Sequence, residues 1–157
     1  MSTLWFEDLQ AGFRFTTPGA TLTEAQIVEF AFQFDPQPFH MNAHAAQQSH
    51  FGGVIASGLH SLAVACRLIQ QSKPWAAAAM GSPGIEELRW LQPVRPGDTL
   101  HVETEVRAVR PSASRPDRGI VLLHHEVYNQ AGTLVLTYTL NELVARKGAN
   151  GTARMGA

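Results

Sequence analysis

The chain has 157 residues, 45% of them hydrophobic and 16% charged, which suits a single domain able to bury its own core without staples. Lys and Arg number 12 and Asp and Glu 13, so the net charge is −1 and no general attraction to nucleic acid is expected. The one cysteine, Cys66, excludes an intrachain disulfide, and no run approaches the ~20 apolar residues of a membrane span. The opening Met-Ser-Thr-Leu-Trp-Phe-Glu-Asp carries acids early and does not read as a signal peptide, so the expectation is a cytoplasmic protein.

The Phe13 and Phe15 alternation predicts a strand over 12–21. Thr23 and Gln26 then form the pattern of a capping box. Ile27, Phe30, Ala31 and Phe34 follow at helical spacing, which predicts an amphipathic helix over 24–34. Asp35-Pro36 ends it, because a residue before proline avoids the helical basin. Pro36 and Pro38 predict an extended, stiff turn as far as His40. Residues 41–49 suit a short helix, and Phe51-Gly52-Gly53 a flexible break. Ser57-Gly58 opens a second helix over 58–72, whose Leu59, Leu62, Ala63, Cys66, Ile69 and Gln70 predict a central, largely buried position.

The period then changes to two. Residues 84–92 read as a strand, followed by the Pro93–Asp98 loop. Val102, Thr104, Val106 and Ala108 alternate with His101, Glu103, Glu105 and Arg107, as in a half-buried strand. Two further strands, 120–128 and 133–145, are joined as a hairpin by Asn129-Gln130-Ala131-Gly132. Helices first and antiparallel strands later define an α+β class, with one apolar helix against a curved sheet. The domain is expected over 1–147, with a small, polar tail over 148–157.

The chemistry concentrates between Phe30 and Leu59. Asp35 and His40 lie at a helix end and in a proline-stiffened loop, where functional groups gather. A carboxylate beside an imidazole can polarise one water, one group accepting a proton and the other supplying one. Burial against Phe34 and Phe39 is expected to shift both proton affinities. Gly58 opens a helix whose first amides lack intrahelical partners, and it lets a ligand approach the backbone closely. That is the chemistry of an oxyanion hole. Each feature alone has a bland reading: helices often end in Asp-Pro, and Ser-Gly is an ordinary helix start.

Together these residues resemble the signature of the MaoC-like dehydratases, the family of (R)-specific enoyl-CoA hydratases. The likeness runs through Phe30-Ala31, Asp35-Pro36-Gln37-Pro38-Phe39-His40, Ala45 or Ala46, Phe51-Gly52-Gly53 and Ala56-Ser57-Gly58-Leu59-His60. Gly84–Trp90, Pro93–Asp98 and Ser112–Arg118 look familial too, so the resemblance covers about residues 5–146. It implies a hot-dog fold, Asp35 and His40 as the catalytic pair, and the Gly58 amide on the thioester oxygen. It also implies a homodimer with active sites near the interface. The expected substrate is an acyl thioester of coenzyme A or of an acyl carrier protein, coenzyme A entering as part of the substrate with no metal or redox cofactor. Ser57, Phe39, Phe51 and Gly53 are the expected neighbours of the substrate. Three positions depart from the pattern: Gln37 for Asn, Asn42 for Asp, and Cys66 for Ser.

Other features have alternative readings. Arg110, Arg115 and Arg118 read either as a solvated loop or as a guanidinium clamp for coenzyme A phosphates, to which Arg115 and Arg118 would belong. His40 and His44, four apart, carry no supporting cysteine cluster for zinc. His124 and His125 are adjacent in a strand, so one should face the core and the other the surface. Trp5, Trp75 and Trp90 read as packing residues. Two rival functions share the ligand: a hot-dog thioesterase, and a non-catalytic acyl-thioester binding or regulatory module. The intact Asp35, His40 and Gly58 favour water addition or removal over both.

Overall fold

Three long strands dominate the sheet because apolar residues recur in them at every second position. In the computed structural model, which describes residues 3–148, these are β4 (Thr99–Pro111), β5 (Arg118–Tyr128) and β6 (Leu134–Ala145). They are preceded by β1 (Arg14–Thr16), β2 (Ala20–Thr21), α1 (Glu24–Phe34), α2 (Pro38–Met41), α3 (Ala43–Gln48), α4 (Gly58–Ser72) and β3 (Ile85–Trp90). The antiparallel order is β1-β4-β5-β6-β3, with β2 also on β4. A long helix against one curved antiparallel sheet is the hot-dog fold. The expected tail lies outside the described residues, Gly148 excepted.

The single strand expected over 12–21 is two short ones. Pro18 has no N–H to give the ladder, and the Thr17 hydroxyl accepts the Val102 amide at 3.0 Å instead. Alternation in β4 holds through Leu100, Val102, Thr104 and Val106, then a bulge between Val106 and Ala108 turns Ala108 outward, contrary to expectation. The capping box of α1 forms as read: Gln26 N donates to Thr23 Oγ1 and Thr23 N to Gln26 Oε1. Ile27 and Ala31 are buried, whereas Phe34 points to solvent.

The buried face of α4 is also shifted from the expected one. His60, Ser61, Ala65, Leu68 and Ile69 face inward, while Leu59 is exposed. Ala65, Leu68 and Ile69 pack on Leu100, Val102, Val127, Leu136 and Tyr138. A second cluster around Trp75, with Phe6, Val106, Val121 and Val144, fills the other end of the sheet. There Lys73, just past α4, ion-pairs with Glu142, whose other oxygen accepts Trp75 Nε1–H at 2.6 Å. All three are buried, so each charge and donor has a partner.

His124 and His125 divide as expected, His125 inward. His125 Nδ1 lies 2.9 Å from Thr104 Oγ1, with the Tyr138 ring 4.5 Å away. Burial, aided by the charges of His124 and Lys73, pushes its pKa down to about 3, from 6.5. The unfolded chain takes up this proton below pH 6.5 and the folded chain does not, so His125 favours folding above that pH and progressively less as pH falls towards 3. Urea unfolding midpoints should therefore drop less between pH 7 and about 4.5 in His125→Phe than in wild type.

Candidate active site

Asp35 caps the C-terminus of α1, its amide still bonded to Ala31 O at 3.0 Å. Proline 36 stops the helix, and Gln37 takes an extended conformation. Pro38 then begins a new helical turn, for which its fixed φ is suited. His40 thus sits on the one-turn helix α2, not on the extended segment expected, and is 4% exposed. After α3, Gly52 (φ 64°) turns the chain at Phe51, and Val54–Ala56 runs buried to Ser57.

Four contacts fix the pair. Ser57 Oγ donates to Asp35 Oδ2 at 2.6 Å, and Gln37 Nε2 donates to Oδ1 at 3.0 Å. His40 Nδ1 lies 2.8 Å from the Ile55 carbonyl oxygen, and His40 Nε2 lies 3.3 Å from Asp35 Oδ2. A carbonyl oxygen only accepts, so Nδ1 carries a hydrogen and the neutral ring turns its lone pair, at Nε2, towards the carboxylate. A carboxylate also only accepts. The contact therefore requires a donor between the two acceptors: either an N–H on the ring, or one water that donates an O–H to each group. These are the two states a general acid–base pair alternates between. The Ser57 and Gln37 bonds hold the Asp35 carboxyl below its ordinary range, with the His40 charge as a smaller influence and desolvation opposing them.

The pair borders a cavity of about 530 Å³, within the range of small-molecule sites. Phe39, Phe51, Ile55, Val94 and Leu136 give it apolar walls, and Gly58 and Trp90, in contact with one another, also line it. Phe39 packs edge-on against His40 (4.6 Å) and tilted against Phe51 (5.2 Å). The Gly58 amide, first in α4, has no acceptor among the described residues.

The expected residues Asp35, His40, Gly58, Ser57, Phe39 and Phe51 thus converge. Ser57 does so with its hydroxyl hydrogen given to Asp35 and one lone pair to the Leu59 amide. Others do not. Gly53 lies behind the wall, beside Arg95, whose guanidinium holds the Phe51 carbonyl at 2.7 Å. Phe34, being exposed, does not bury Asp35. Arg115 and Arg118 are near the Arg118–Ala145 end of the sheet. At ~3.3 Å per residue, that end is about 30 Å from Leu136 and the cavity. Arg118 forks onto Asp117 instead, at 2.8 Å through Nε and Nη2. Among the described residues no three His, Cys, Asp or Glu side chains gather as a metal site.

Sequence reasoning missed Gln37 as an Asp35 donor, although its Nε2 reaches back just two residues. It also missed Trp90, which is half-exposed in the cavity wall rather than packed in the core.

A curved sheet around one long helix, with a carboxylate–imidazole pair just before that helix, defines the MaoC type of hot-dog domain. Residues 9–127 match the family described as MaoC like domain, and the chain belongs to it. It is similar to the crystal structure of a MaoC-like dehydratase from Rhodospirillum rubrum, 46% identical over 92% of this chain and 98% of that one, with a TM-score of 0.86. A structure titled monoamine oxidase regulatory protein, from Archaeoglobus fulgidus, is 31% identical over 93% and 97% of the two chains, with a TM-score of 0.84. A 3-hydroxybutyryl-CoA dehydratase of Methylorubrum extorquens is 30% identical across 71% of this chain and 69% of that protein.

Removing the Ser57 donor should raise the Asp35 pKa. In a ¹³C NMR titration of the aspartate carboxyls, Asp35 should titrate below 3.8 in wild type and higher in Ser57→Ala, where α1 and α2 persist.

Proposed function

We propose that this chain adds or removes water across the 2,3 double bond of an acyl thioester carried by coenzyme A or an acyl carrier protein. The observation that carries the reading is the Asp35 Oδ2–His40 Nε2 contact, two acceptors 3.3 Å apart on an apolar cavity that also exposes an unpartnered helix-terminal amide. Similarity to a 3-hydroxybutyryl-CoA dehydratase supports it.

The steps follow from the geometry. One water donates an O–H to Asp35 and one to His40, leaving an oxygen lone pair facing the cavity. That oxygen bonds to the β-carbon of the enoyl thioester. One water proton passes to the pair, and the π electrons move onto the thioester oxygen. The Gly58 N–H, backed by the α4 dipole, takes that negative charge. The pair then returns the proton to the α-carbon. Dehydration is the reverse path.

Incubation with crotonyl-coenzyme A should remove the enoyl-thioester absorbance. Asp35→Asn and His40→Ala should each lower the rate by ~10²-fold or more. Free thiol released without hydration would instead indicate a thioesterase. Binding without either reaction would indicate a binding or regulatory module.

The reading includes a homodimer. Among the described residues β3 ends the sheet with a free edge, and Leu59, Ile85, Trp90 and Leu91 are exposed around it and the cavity mouth. An uncovered strand edge of this kind is a template for pairing with another copy. Sedimentation should give a dimer, and Ile85→Asp should give a monomer with reduced hydration.

A further inference from the structure

Strict alternation along β3 from Ile85 would turn residue 90 away from the helix. It does not, because β3 contains a bulge. Ile85 pairs with Leu140 and Trp90 with Leu136, while the register shifts between Glu86 and Arg89. Cross-strand partners share a face, so Trp90 joins Leu136 on the side of α4. Within the bulge, Glu87 has φ 54°, a left-handed conformation uncommon outside glycine. Bulges gather beside active sites, where they re-aim side chains. This one brings a large aromatic ring, 50% exposed, over the first residue of α4.

The approach is close. A Cβ built on Gly58 would lie 2.5 Å from both Trp90 Nε1 and Cε2, so only glycine fits beneath the ring. An ideal Cβ lies about 2.5 Å from its own amide nitrogen, which places the Gly58 and Trp90 Nε1 nitrogens within about 5 Å of each other. One oxygen can sit ~2.9 Å from two nitrogens so spaced. Both residues border the same cavity, and neither N–H has an acceptor among the described residues. The indole of Trp75, by contrast, is committed to Glu142.

We infer that Trp90 Nε1–H is a second donor to the thioester carbonyl oxygen and forms, with the Gly58 amide, a two-donor oxyanion hole. The assignment rests on the acyl-thioester reading above. It gives the bulge and the exposed indole a common purpose. It also gives the enolate charge two fixed donors, each of a kind whose removal lowers kcat by ~10²–10³-fold.

The test uses the full chain with butyryl-coenzyme A, a saturated thioester with no double bond to hydrate. Isotope-edited infrared spectra with a ¹³C carbonyl report its stretching frequency. Hydrogen bonding should lower that frequency in wild type, and Trp90→Phe should recover part of the shift. Phenylalanine keeps an aromatic, though smaller, wall and removes the donor. With crotonyl-coenzyme A, Trp90→Phe should lose at least ~10-fold in kcat with KM little changed. An unlowered carbonyl frequency in wild type, or the same frequency in wild type and Trp90→Phe, would overturn the assignment. Wild type that lowers the frequency, with Trp90→Phe reversing it, but hydrates nothing would overturn the hydratase reading and leave the donor pair standing.

Discussion

The Ser57 hydroxyl joins two segments that are 22 residues apart in sequence. It accepts the Leu59 amide at the start of α4 and donates to Asp35 Oδ2 at 2.6 Å, with 1% of the residue exposed. A hydroxyl has one hydrogen and two lone pairs, so it can cap a helix and orient a carboxylate at once. Asp35 is thereby held near the positive end of the α4 dipole, beside the Gly58 amide. Ser57 thus sets the place of Asp35 relative to the amide, while His40 is tied through Nδ1–H to the Ile55 carbonyl on the segment that leads into Ser57.

That arrangement needs α4 to stay in place. Apolar packing of Ala65, Leu68 and Ile69 on the sheet resists separation but is non-directional. Direction comes from polar contacts at both ends. Ser57 ties the N-terminus to Asp35, and Lys73 ties the C-terminus to Glu142, itself bonded to Trp75. Breaking a buried pair leaves an unpartnered charge, so sliding or rotating α4 would be opposed at both ends. The Gly58 amide is consequently presented by a helix with a fixed register.

The remaining walls come from elements with separate origins. The α2–α3 overhang supplies His40 and Phe39, the Phe51 turn closes against Phe39, and β3 supplies Trp90. Each is anchored to the frame by backbone bonds: Ile55 to Phe39 O, Ala56 to Val94 O, and Leu91 to Val135 O. The cavity is therefore formed by several loops on one rigid sheet–helix core, the usual economy of sites built on stable scaffolds.

Local patterns determined much of this. The Thr23 box, the Asp35-Pro36 stop, the Ser57-Gly58 start and the period-two strands are short-range effects, and each could be read from neighbouring residues. The roles of Asp35, His40 and Gly58 were legible through their spacing and the family likeness it revealed. What stayed illegible depends on pairing between distant segments. The turn carrying His40 is helical because Pro38 is its first residue, although two nearby prolines also suit an extended chain. The exposure of Phe34, the inward face of α4 and the outward turn of Ala108 depend on which partner each element meets. Arg115 and Arg118 are far from the cavity because β5 and β6 run the length of the sheet in register. Trp90 faces Gly58 because of one extra residue in β3, and a one-residue shift reverses the face of every side chain beyond it. The sequence by itself determined the chemical groups and the helix starts and stops; strand register and helix rotation, set by long-range pairing, decided which of those groups meet.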